Sequence, residues 1–118
     1  GDGGQNGFNI SLLTDACAGD TDELKKVVDV YSATITPDIN ELAAAYASCD
    51  NEKIRMKHHA LQTAFGYLGM PAANEKLDMA RQTSDGAEAA ELIKQIAALW
   101  QQTLPMIKDY VAGLGGKA

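Results

Sequence analysis

Apolar residues recur along this chain at spacings of three and four, the period of a half-buried helix, and no stretch alternates as a strand would. Asn9 or Ser11 is placed to cap a short first helix to about Ala16, closed by Gly19. Asp20-Thr21-Asp22-Glu23 offers a capping box and an acidic first turn to a second helix, whose inner face is Leu24, Val27, Val28 and Tyr31. Thr36-Pro37-Asp38 interrupts the pattern, and Pro37 suits the first turn of a further helix carrying Ile39, Leu42, Ala45 and Tyr46 inward to about Cys49. Asp50 caps the next helix, about Asn51 to Leu68, which Gly69 stops. Pro71 opens a helix to roughly Gln82. Ser84 or Asp85 caps a long last helix from about Gly86 to Ala112, with Leu92, Ile93, Ile96, Leu99, Trp100, Met106, Ile107 and Tyr110 facing in and Pro105 bending it.

Short connections between amphipathic helices predict an all-α fold: an antiparallel, up-down four-helix bundle with a short additional N-terminal helix. Such a bundle serves many functions, so the chemistry has to come from particular side chains. In the helix of about 51–68, Ile54, His58, Leu61, Phe65 and Leu68 recur at four, three, four and three, one core-facing track. Arg55, His59, Gln62, Thr63 and Gly66 form a second stripe. Each residue step turns the helix about 100°, so the adjacent histidines diverge: His58 lies at the core and His59 faces solvent. Gly66 follows His59 by nearly two turns and shares its line. A glycine inside a helix costs roughly 1 kcal/mol relative to alanine, so it asks for a packing or access reason. Beside an exposed imidazole it leaves bare backbone on which another protein can lie flat.

Composition narrows the field. At 118 residues the chain is one domain. A net charge of −6 argues against a nucleic-acid partner, which selects a basic face. No apolar run approaches the length of a membrane span, so no direct membrane contact is expected. Cys17 and Cys49 form no metal spacing and read as semi-buried thiols of a reducing compartment. Adjacent histidines on a helix point apart, so no metal site is expected from them. No nucleotide loop, kinase signature or Ser-His-Asp set is present. Residues 1–7 read as a linker or an expression remnant, 8–113 as the helical domain of a larger parent, and 114–118 as a flexible tail.

His59, Leu61, Gly66 and the Leu68-Gly69 pair stand at the accepting, second, seventh, ninth and tenth positions of a motif. With the helix layout, they make residues Phe8 to Val111 resemble the histidine-containing phosphotransfer (HPt) family of phosphorelays and hybrid sensor kinases. The resemblance implies that His59 accepts a phosphoryl group through Nε2 and passes it between receiver-domain aspartates. It implies a carrier without an autonomous catalytic site, and no cofactor of its own, the magnesium ion belonging to the receiver. The implied partners are response-regulator receivers and a histidine kinase in the same parent chain. The implied setting is a cytoplasmic monomer, or the cytoplasmic part of a membrane-bound parent. Gln62 stands where the family has lysine and Thr63 where it has glycine. Arg55, four residues before His59, is placed to supply the missing positive charge. The docking surface expected around His59 takes in Thr63, Gly66 and Tyr67, flanked by the helix of about Pro37 to Ser48. Tyr67 and Met70 either edge that surface or fill the core, and Trp100 and Tyr110 read as packing. Two alternatives stay open: an HPt-like module that docks receivers or kinases without being phosphorylated, and a helical scaffold unrelated to signalling.

Overall fold

The computed structural model describes residues 7–115, and every regular element among them is a helix. There are five: α1 (Ser11–Ala16), α2 (Thr21–Ser48), α3 (Asn51–Tyr67), α4 (Pro71–Gln82) and α5 (Gly86–Gly115). Aspartates start three of them. Asp20 Oδ1 accepts from the Asp22 and Glu23 amides, Asp50 Oδ1 from Lys53 N, and Asp85 Oδ1 from Ala87 N, so Asp85 rather than Ser84 caps α5. At α1 the first residue before the helix is Ile10, and Asn9 Oδ1 accepts from Ser11 N.

The break expected at Thr36-Pro37-Asp38 does not occur; α2 is one helix of 28 residues with Pro37 inside it. The reason lies in the phase. Tyr31, Ile35, Ile39, Leu42 and Ala45 keep an unbroken inner track through the proline, and Ile35 is 1 % exposed. The carbonyl that Pro37 leaves without a donor belongs to Ala33, and both residues are exposed, so this stretch of backbone is open to solvent.

Each long helix packs on two others: α2 on α3 and α5, and α4 on α3 and α5. The core between them is built from Leu24, Ile35, Leu42, Leu61, Leu77 and Ile107, with Phe65 and Trp100 meeting edge-on at 6.2 Å. Two residues of α5 expected inside, Met106 and Tyr110, are exposed, because the inner track there runs Trp100, Thr103, Ile107, Val111. Tyr110 instead packs edge-on against Phe8 from the outside. Met70 is buried, so it belongs to the core and not to a surface edge. Cys49 is exposed, not semi-buried, because it ends α2 in the left-handed conformation (φ 57°); Cys17 is half-buried. Helix α5 continues to Gly115, into the stretch read as a tail. Residues 1–6 of the expected linker and 116–118 of the expected tail lie outside the described residues.

Candidate functional site

Helix α3 is held in rotation by Ile54, Leu61, Ala64 and Phe65, all buried. That phase turns His59 outward, where it is exposed, and His58 inward, where 12 % of its side chain remains open. Arg55, Thr63 and Gly66 are exposed on the same outer face as His59, one turn before it and one and two turns after it. Gln62 is half-buried at the edge of that face, beside α4. Tyr67 is 37 % exposed and lies on the α2 flank; burial first, then Tyr67 and Cys17 nearby, hold the Tyr31 hydroxyl above its ordinary range.

Gly66 has no internal reason to be glycine. A Cβ there would meet only Asn74 Nδ2, at 4.0 Å, an ordinary contact. Internal packing therefore does not require the glycine. Gly69 differs: its φ is +64°, and a Cβ would run into the backbone of Asn9. The close approach lets Asn9 N donate to Leu68 O at 3.0 Å, tying the segment before α1 to the end of α3.

On the α2 flank, Lys57 Nζ bridges Asp38 Oδ1 at 3.0 Å and Glu41 Oε1 at 3.2 Å. Hydrogen bonds to Asp38 and then Glu41 hold the Lys57 ammonium above its usual range. The expected neighbour, the stretch Pro37 to Ser48, is thus present as the second half of α2. The α4 flank also packs against α3, and the sequence did not announce it. Asn74 Nδ2 donates to Gln62 O at 3.2 Å, and Asp78 Oδ1 lies 3.4 Å from His58 Nε2. Asn74, Asp78 and Arg81 share one face of α4 at spacings of four and three, a polar stripe beside the buried Ala73, Leu77 and Ala80. That stripe was the available signal, but nothing in it names the helix it faces.

Burial pushes the His58 imidazole below its ordinary range, the Arg81 guanidinium adds to this, and Asp78 opposes both. His58 is therefore a neutral, positioned residue that joins α3 to α4. Its neighbour His59 is open to an approaching reactant. Among the described residues no three His, Cys, Asp or Glu side chains cluster to hold a metal ion, and no helix is long and apolar enough to cross a membrane.

Comparison of the chain with protein-family models, curated proteins and solved structures gave no match to any of the three.

Proposed function

We propose that this domain is a phosphoryl carrier of the HPt kind, with His59 as the accepting residue. The observation that carries the reading is the pairing of an exposed imidazole with Gly66, a helical glycine on the same face that no internal contact requires. The four long helices are read as an antiparallel four-helix bundle. Cross-helix partners support this, because partner numbers fall on one helix as they rise on the next: Gln62 with Asn74 and His58 with Asp78, then Lys76 with Gln95 and Thr83 with Glu88.

In the proposed reaction the Nε2 lone pair of His59 attacks the phosphorus of an aspartyl phosphate in a receiver domain. A P–N bond forms, the P–O bond to the aspartate breaks, and the carboxylate leaves with the electron pair. Return transfer to a second receiver reverses these bonds. Such chemistry is mostly positioning and charge stabilisation, and in this reading the receiver brings the magnesium ion. The present chain contributes the nucleophile and a surface. Arg55 sits one turn before His59 and supplies a positive charge that Gln62 lacks. The carrier works in the cytoplasm beside its receivers, with a histidine kinase in the parent chain as a further partner.

A second reading has its own support. Gln62 and Thr63 replace the lysine and glycine of the resembled motif, and Thr63 is exposed where a receiver would lie. On that reading the domain docks receivers without accepting phosphate. One experiment separates the two: incubation with phosphorylated receiver domains, following acid-labile, base-stable label on this chain while receiver binding is measured alongside. Label that moves onto the chain, and moves more slowly with Arg55→Ala, supports the carrier. Receiver binding with no label supports the docking module, and neither binding nor label leaves the unrelated scaffold.

A further inference from the structure

A cavity of about 410 Å³ opens where the α2–α3 and α4–α5 connections meet, at the end of the molecule beyond His58. Arg81, Asn51, Thr83, Ser84 and Asp85 give it polar lining, and Ile54, Ala89 and the ring of Tyr46, whose hydroxyl is covered, give it an apolar part. Its size is within the ordinary range for a small-molecule site.

Two polar groups there are without a protein partner among the described residues. Tyr46 Oη is fully covered and makes no hydrogen bond. Burial holds that hydroxyl above its ordinary ionisation range, with Arg81 opposing, so at neutral pH it is a protonated donor with no acceptor. Folded proteins seldom leave such a donor unmet. Arg81 forms no ion pair with any carboxylate among the described residues. Arg81 lines the same cavity as Tyr46, and its guanidinium acts on the Tyr46 hydroxyl. Asp85, the carboxylate on the lining, is already engaged: its Oδ1 accepts from Ala87 N and Glu88 N at the start of α5.

We propose that this cavity binds a small organic monocarboxylate. One face of the carboxylate pairs with the planar fork of Arg81, an oxygen accepts from Tyr46 Oη, and the carbon chain lies on Ile54 and Ala89. Tyr46 Oη is closed in the empty cavity, so binding shifts the exposed Arg81 side chain or the half-buried tyrosine ring to admit the ligand oxygen. A dianion fits less well, because Asp85 lines the same cavity and Asp50 caps the adjoining helix. The site does not depend on the role of His59.

The test is a titration of the whole chain with sodium butyrate, butyramide and sodium phosphate at matched ionic strength, read by amide chemical shifts. Butyrate is expected to give saturable shifts at Asn51, Arg81 and Gly86, with a dissociation constant on the order of millimolar, as befits so few atoms. Butyramide gives none, and phosphate binds more weakly. Arg81→Gln weakens butyrate about tenfold and Tyr46→Phe about threefold, the size of a charge-assisted and a neutral hydrogen bond. If Arg81→Gln fails to fold, Arg81→Lys keeps the charge, loses the fork and is expected to weaken binding about threefold. Shifts that do not saturate, that butyramide reproduces, that phosphate exceeds, or that survive the Arg81 variant unchanged overturn the proposal.

Discussion

Gly69 takes φ +64°, and a Cβ built on it would sit 2.6 Å from Asn9 N. Alanine there pays both a left-handed backbone and a collision with another segment. Gly69→Ala is expected to lower the unfolding free energy by about 2 kcal/mol or more, read by chemical denaturation. Gly66 is the opposite case. Its missing Cβ has room, so Gly66→Ala is expected to raise stability by about 0.5–1 kcal/mol while slowing transfer from a receiver. A stabilised variant that transfers at the original rate would remove the docking role of Gly66. The different fates of His58 and His59 were legible in the sequence, because Ile54, Leu61, Phe65 and Leu68 fix the phase of the helix between them. The hydrogen bond from Asn74 to Gln62 O and the Asp78–His58 approach were not, since linear spacing does not say which face meets which.

Among the elements, α2 shows how a proline is tolerated in a helix that packing holds on both sides of it. Pro37→Ala restores a donor for the Ala33 carbonyl and relieves the ring, so thermal or denaturant unfolding is expected to show a gain of about 1–3 kcal/mol. No gain would mean that the solvent-facing carbonyl loses nothing by bonding water. The sequence predicts a break because Thr36-Pro37-Asp38 interrupts the apolar pattern, although Ile35 links Tyr31 to Ile39 at helical spacing. In α5 the apolar pattern misleads in the other direction. Met106 and Tyr110 are apolar enough to be read inward, yet Thr103 occupies the buried track and a Cβ on Gly7 would meet its Oγ1 at 3.4 Å.

The pairing of α3 with α4 carries a pH dependence. His58 titrates below its ordinary value in the folded chain and near 6.5 when unfolded, so between those values the unfolded chain binds more protons. The stabilisation is complete above about pH 6.5 and is lost as pH falls through that value toward the lowered one. Denaturation curves across this range should show the midpoint falling with acidification, and His58→Gln should flatten that slope. An unchanged slope would assign the titration elsewhere.

At the scale of the whole molecule, the helices form a frame that presents one outer face of α3, with acidic α2 residues gathered around Lys57 on one flank and α4 on the other. Against the net charge of −6, Arg55 places a positive charge on the outer face of α3 that also carries His59. The all-helical architecture was readable from periodicity and aspartate caps. The order in which helices surround α3 came only from their packing. The claim that depends on all three scales is that His59, and not its neighbour, accepts the phosphoryl group. It is tested most directly by mapping label from a phosphorylated receiver on the wild type, His59→Gln and His58→Gln. The account predicts acid-labile label on the wild type and on His58→Gln, and none on His59→Gln. Label kept by His59→Gln and lost by His58→Gln would contradict it.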